Sequence, residues 1–135
     1  MPTRGATHPR PTSHRPRPLV LFIEDNLTQL DLYVMVLEQA YEVMAATRGE
    51  AGYQLACREL PDVIVVDVML PDVDGLALCE RLHANPATAT IPIIILTGDD
   101  RAYARAQLVR SELTGLLLKP CFADRLLSAV RAAID

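Results

Sequence analysis

The chain has 135 residues, half of them apolar, and a formal net charge of −4, which predicts one globular domain with a sizeable core. Its apolar runs are far shorter than the roughly 18–20 residues that cross a bilayer, and its start lacks the apolar segment of a secretory signal. Its three scattered cysteines lack the paired short spacings of a disulfide framework or a zinc site. We therefore expect a cytoplasmic protein without membrane contact.

The first segment of the chain is basic and rich in proline. Residues 1–18 contain four arginines, no acidic residue and five of the ten prolines. Such a segment cannot bury apolar surface, so we predict a disordered leader over residues 1–17 and a folded domain over residues 18–135. The rest of the chain has nine basic and seventeen acidic residues, which argues against direct binding of nucleic acid.

Five apolar runs of strand length follow at regular intervals. They are "LVLFI" (19–23), "YEVMAA" (41–46), "VIVVD" (63–67), "IPIIIL" (91–96) and "GLLLK" (115–119). Four are nearly continuous in apolar residues, as in parallel strands that are buried on both faces. The second run is interrupted by Glu42 and suits an edge strand.

Helical patterns separate the five runs. Asp25 or Asn26 is a candidate N-cap of the first helix, and Asp99 or Asp100 of the fourth. "TRGE" (47–50) offers a capping box for the second helix, with Thr47 as the cap and Glu50 three residues on. The alternation predicts an α/β fold of (βα)₅ type, a doubly wound parallel five-stranded sheet with right-handed crossovers.

Polar residues collect where the strands end. In open α/β sheets, ligands bind outside the carboxyl ends of the strands. The first strand is followed by Glu24 and Asp25, and the third ends in Asp67. The fourth and fifth strands end in Thr97 and in Lys119, the single lysine of the chain.

This set of side chains suits phosphoryl transfer. Crowded carboxylates repel one another, and a divalent cation such as Mg²⁺ relieves the repulsion. A carboxylate in such a site can attack phosphorus and form an acyl phosphate. The lysine ammonium and the threonine hydroxyl would then contact the phosphoryl oxygens, whose charge must be neutralised during the transfer.

Four segments in this order resemble the motifs of the receiver domain of bacterial two-component response regulators. They are "FIEDN", "VVDVMLPDVDG", "ILTGD" and "LLLKPC", and the resemblance covers roughly residues 18–135. It implies a flavodoxin-like three-layer sandwich with strand order 2-1-3-4-5. In that order the first and third strands are neighbours, and Lys119 lies roughly 10 Å along the sheet from Asp67.

The resemblance also implies roles for individual residues. Asp67 would take a phosphoryl group from a histidine kinase or a phosphotransfer protein, and Thr97 and Lys119 would contact that group. The implied Mg²⁺ ligands are the carboxylates of Glu24, Asp25 and Asp67 and the backbone carbonyl of Met69. The Lys119–Pro120 bond is expected to be cis. The domain would catalyse only its own phosphorylation and dephosphorylation, and its output would be a change in contacts with a downstream protein.

One departure from the family pattern leaves an alternative open. The family usually has an aromatic residue three positions before the lysine, and this chain has Leu116. A degenerate receiver that acts as an interaction module without phosphorylation therefore stays possible. Two other classes fit less well. A phosphohydrolase with an aspartate nucleophile would need an acid where Met69 stands, and a flavin-binding module would need a hydroxyl- and glycine-rich loop in place of "EDNLTQL".

Overall fold

The computed structural model describes residues 15–135. Within this range five strands alternate with five α-helices, and a short 3₁₀ turn (Arg110–Glu112) precedes the last strand. The strands are β1 (Leu19–Ile23), β2 (Glu42–Ala46), β3 (Val63–Val66), β4 (Ile93–Thr97) and β5 (Gly115–Leu118). The helices are α1 (Leu27–Leu37), α2 (Gly49–Glu59), α3 (Gly75–Ala84), α4 (Asp100–Leu108) and α5 (Ala123–Ile134).

The strands form one parallel sheet in the order β2-β1-β3-β4-β5, which confirms the predicted fold class. The interrupted strand β2 lies at an edge, as expected, and exposes part of its length. In the register of β1 with β3, Ile23 is level with Val66. The residues that directly follow these two strands, Glu24 and Asp67, are therefore neighbours at the edge of the sheet.

Two apolar layers cover the sheet. Alternate side chains of a strand point to opposite faces, so Leu21 and Ile23 pack with helices α2, α3 and α4, whereas Val20 and Phe22 pack with α1 and α5. Strands β1, β3 and β4 are buried along their whole length. Burial on both faces explains their nearly continuous apolar sequence.

Side chains from the loops before α1 and α4 cap these two helices. Asn26 accepts a hydrogen bond from the Gln29 amide at the start of α1, and Asp99 accepts one from the Ala102 amide at the start of α4. These caps confirm one candidate from each predicted pair.

The capping box predicted for α2 is wrong. The N-cap residue of α2 is Arg48, one position after Thr47, and its side chain makes no cap hydrogen bond. Asp72, from the loop after β3, accepts hydrogen bonds from the amides of Gly49 (2.8 Å) and Glu50 (3.0 Å). These bonds hold the pKa of Asp72 below its ordinary value. The loop after β3 is thus fastened to the start of α2.

Most of the predicted leader lies outside the described residues, and only residues 15–17 of it are described. Arg15 donates to the backbone carbonyl and the carboxylate of Glu59 at the end of α2, and it lies 3.6 Å from the Glu42 carboxylate. Arg17 donates to the Glu38 carbonyl after α1. Arg15 and Arg17 therefore contact the ends of α1 and α2 and the start of β2.

We predict that Asp72→Ala lowers the midpoint of urea-induced unfolding, because two amides at the start of α2 lose their acceptor. Asp72→Asn, which keeps one acceptor oxygen, should fall between wild type and Asp72→Ala. Thr47→Ala is the matched control and should shift the midpoint less. Equal midpoints for Asp72→Ala and Thr47→Ala would contradict the cap described here.

Candidate functional site

Three carboxylates meet at the carboxyl ends of β1 and β3. Glu24 and Asp25 follow β1, and Asp67 follows β3, with its amide bonded to the Ile23 carbonyl at 3.0 Å. One carboxylate oxygen from each of the three residues lies within 4.8 Å of the others. Glu24 and Asp67 are buried, whereas Asp25 is exposed. These hard oxygen donors are of the type that Mg²⁺ prefers.

Lys119 brings a positive charge to this cluster from the far side of the sheet. Its amide bonds to the Thr97 carbonyl at 2.8 Å, which continues the β4–β5 ladder, and the Lys119–Pro120 bond is cis as expected. The ammonium Nζ lies 2.5 Å from Glu24 Oε1 and 3.1 Å from Asp67 Oδ2. The lysine side chain therefore spans the two-strand gap that the family resemblance implied.

Burial and the Glu24–Lys119 ion pair act in opposite directions on the pKa of each of these two residues. Only 1% of Glu24 is exposed, and burial raises its pKa above the ordinary value although the hydrogen bond from Lys119 acts to lower it. Burial alone would lower the pKa of Lys119, but its contacts with Glu24 and Asp67 outweigh burial and raise it. The ammonium accordingly stays charged beside the two carboxylates.

Both oxygens of Asp67 are engaged in hydrogen bonds. Oδ1 accepts from the Met69 amide at 3.0 Å, and Oδ2 accepts from Lys119. Gly75 allows the loop after β3 to lie close against the strand end, because a Cβ there would lie only 2.4 Å from the Asp67 carbonyl oxygen. The loop thus fixes the direction of the Asp67 carboxylate.

Thr97 ends β4 beside this site and is fully buried. Its hydroxyl oxygen accepts a hydrogen bond from the Asp99 amide at 3.3 Å. Leu116 lies opposite Ile95 in the β4–β5 pair and packs, half-buried, against the layer that includes α4. Leu116, at the position of the usual aromatic residue, is therefore a partly buried side chain at the edge of the hydrophobic core.

Gln29, on the first turn of α1, was not predicted as part of the site. Its side-chain oxygen Oε1 accepts a hydrogen bond from Lys119 Nζ. Three residues after the cap Asn26, a glutamine ordinarily indicates a capping box, so the sequence pattern assigns it to the helix end. Its contact with a lysine 90 positions away gives no local sequence signal.

Comparison with known proteins gives the same family from sequence and from structure. The model of the response regulator receiver domain family matches residues 20–131. The DNA-binding dual master transcriptional regulator RpaA of Synechocystis sp. is 37% identical over 118 residues, which are 87% of this chain and 49% of that protein. This chain thus spans about half the length of that relative.

Solved structures of similar proteins have the same fold. A crystal structure described as a response regulator from Chloroflexus aurantiacus has a TM-score of 0.80 and 33% identity, covering 87% of this chain and 98% of that one. The receiver domain of a sensor histidine kinase from Pseudomonas aeruginosa has a TM-score of 0.79 and 24% identity, with the same coverage of each chain. That structure contains a magnesium ion in its active site cleft. In residues 15–135 of the present chain, every helix is too short or too polar to span a membrane.

We predict that Lys119→Met costs about 3 kcal/mol of unfolding free energy in the absence of metal, because it leaves buried carboxylates without their cation. Lys119→Arg keeps the charge and should recover most of the loss. Urea unfolding of both variants near neutral pH measures the difference. Wild-type stability in Lys119→Met would contradict the role of the ammonium in holding the site together.

Proposed function

The chain belongs to the family of response regulator receiver domains, and we propose that Asp67 is the residue that accepts its phosphoryl group. The observation that carries the proposal is the position of Asp67 at a strand end, between two further carboxylates and the ammonium of Lys119. Its carboxylate is held by the Met69 amide and by Lys119, so it is oriented before a donor arrives.

The proposed reaction transfers one phosphoryl group to one carboxylate oxygen. An ionised oxygen of Asp67 attacks phosphorus, and the bond between phosphorus and the donor imidazole nitrogen breaks as the new O–P bond forms. The imidazole leaves with the bonding electron pair and takes up a proton. Lys119 would move its hydrogen bond from the Asp67 carboxylate to a phosphoryl oxygen, and Thr97 would turn its hydroxyl towards another.

The residues present fit a magnesium ion. Three carboxylates within 4.8 Å of one another supply hard oxygen donors, and Lys119 forms ion pairs with two of them, Glu24 and Asp67. We propose that Glu24, Asp25, Asp67 and the Met69 carbonyl hold Mg²⁺. When bound, the ion would neutralise the charge on the transferring phosphoryl oxygens.

The proposed output is a change in contacts with another protein. The phosphoryl donor would be a histidine kinase or a phosphotransfer protein, which this domain would meet in the cytoplasm. The domain would catalyse only its own phosphorylation and dephosphorylation and would act on no other substrate. Leu116 replaces the usual aromatic residue, so the phosphoryl signal would reach the protein surface by a different arrangement of side chains. An interaction module without phosphorylation is the alternative that the first experiment below would reveal.

We predict that incubation with acetyl phosphate and Mg²⁺ adds one phosphoryl group, detected by intact-protein mass, and that Asp67→Asn abolishes the adduct. The amide is a far weaker nucleophile than the carboxylate. Asp31→Asn, the same change at an exposed position of α1, should leave the adduct unchanged. A chelator should prevent it in the wild type.

No adduct on the wild type would leave two alternatives, a receiver that accepts phosphoryl groups only from its own protein donor and the interaction module. Mg²⁺ titration separates them, because an inactive site should not bind the metal. An adduct that survives in Asp67→Asn would assign the phosphoryl group to another residue.

We predict that Mg²⁺ binding weakens on acidification at a pH above that at which an ordinary glutamate protonates. Burial raises the pKa of Glu24, and a protonated carboxyl must lose its proton before it binds the metal. Affinity should therefore fall as the pH drops through this raised value. Calorimetric titrations between about pH 5 and pH 8 measure the effect. Glu24→Gln should bind Mg²⁺ more weakly and with a flatter pH profile, and a constant wild-type affinity would contradict the prediction.

A further inference from the structure

The ammonium of Lys119 has three hydrogen-bond donors and three acceptors around it. Two acceptors are the carboxylates of Glu24 and Asp67, and the third is the side-chain amide oxygen of Gln29. Gln29 and Lys119 also line the same opening to solvent, together with Tyr33 and Pro120. Gln29 is therefore the one uncharged partner in this set of contacts.

Gln29 lies at a helix position where a glutamine side chain usually caps the start of the same helix. It stands three residues after the N-cap Asn26, the position from which a side chain reaches back to the amide of the cap residue. Here the Asn26 amide donates to Glu24 Oε2 at 3.1 Å instead. The Gln29 side chain is turned to Lys119, so its contact with the site replaces a local contact in the helix.

We propose that Gln29 is a positioning residue that keeps Lys119 in the site when Mg²⁺ and the phosphoryl group engage the two carboxylates. The inference rests on the function proposed above. The oxygens of Glu24 and Asp67 that hold the ammonium in this structure are those that a metal and a phosphoryl group would need. The Gln29 oxygen lies on the first turn of α1 and is not among the proposed ligands of the metal or the phosphoryl group, so it holds the lysine ammonium in place throughout the reaction.

The charge of the three acceptors supports this division of roles. A bond from an ammonium to a neutral amide oxygen is stronger than a bond between two neutral groups. It also adds no negative charge to a site that already contains three carboxylates. A glutamate at position 29 would supply an equally placed acceptor but would hold the ammonium too strongly for it to move to the phosphoryl group.

The main test variant is Gln29→Met, which removes the acceptor and keeps a side chain of similar length. Methionine and glutamine have similar helix propensities, and the Gln29 amide that Asn26 caps belongs to the backbone, so α1 is preserved. Gln39→Met is the matched control, because Gln39 is exposed just beyond the other end of α1.

The first measurement is the rate of phosphorylation by acetyl phosphate at saturating Mg²⁺, in the full chain. Gln29→Met should be about tenfold slower, Gln29→Glu should also be slower, and Gln39→Met should match the wild type. In a Lys119→Met background, which itself reacts more slowly, Gln29→Met should have no further effect. An equal loss in both backgrounds would overturn the proposal, because Gln29 would then act without Lys119.

The second measurement uses the fact that Lys119 is the single lysine of the chain. Lysine labelled with ¹³C at Cε gives signals from this one methylene group, so no variant is needed for the assignment. With Mg²⁺ bound, two distinct Hε shifts are expected in the wild type and in Gln39→Met, and one averaged shift in Gln29→Met. Unchanged Hε shifts in Gln29→Met would overturn the proposal. Failure of the wild type to take a phosphoryl group from any donor would refute the proposed function, while the lysine signal would still decide the role of Gln29.

Discussion

The ammonium of Lys119 allows two buried carboxylates, those of Glu24 and Asp67, to stay ionised at the carboxyl edge of the sheet. It lies 2.5 Å from Glu24 Oε1 and 3.1 Å from Asp67 Oδ2, two carboxylates that neighbouring strands place side by side. Without a cation between them, burial and mutual repulsion would favour protonated carboxyl groups. A charged carboxylate is what both a metal and a phosphorus atom require, so the rest of the site depends on this contact.

The sheet fixes the relative positions of Lys119, Glu24 and Asp67. Three of its strands are buried along their whole length, and such close-packed strands tolerate little displacement. The loop after β3 is held from both sides, by the close approach of Gly75 to the Asp67 backbone and by the Asp72 carboxylate at the start of α2. Asp67, the proposed acceptor, is therefore held by a fixed loop and contacted by a lysine on a long stem.

The sequence predicts well which side chains meet at the strand ends, because parallel strands bring their carboxyl ends to one edge. Glu24, Asp25 and Asp67 could be grouped in this way, and Lys119 could be added as the single lysine. The strand order came from the family resemblance and not from the residues themselves. Gln29 and Asp72 escaped prediction for one physical reason: each side chain serves a partner distant in sequence, and each stands in a segment that local patterns already explain. The Thr47 capping box failed likewise, since α2 begins one residue later and takes its cap from another loop.

Leu116 stands where the family usually has an aromatic residue, so the proposed phosphorylation of Asp67 would need another route to the protein surface. Two hydrogen bonds of Asp99 link the site to α4: its amide donates to the Thr97 hydroxyl, and its carboxylate caps the Ala102 amide. Arg105 of the same helix contacts Asp74, at the end of the loop that carries Asp67. The Asp99 hydrogen bonds couple α4 to Thr97, and the Arg105–Asp74 ion pair couples it to the loop after β3. Leu116 takes no part in these polar contacts, because its apolar side chain packs next to Ile95 in the layer that includes α4.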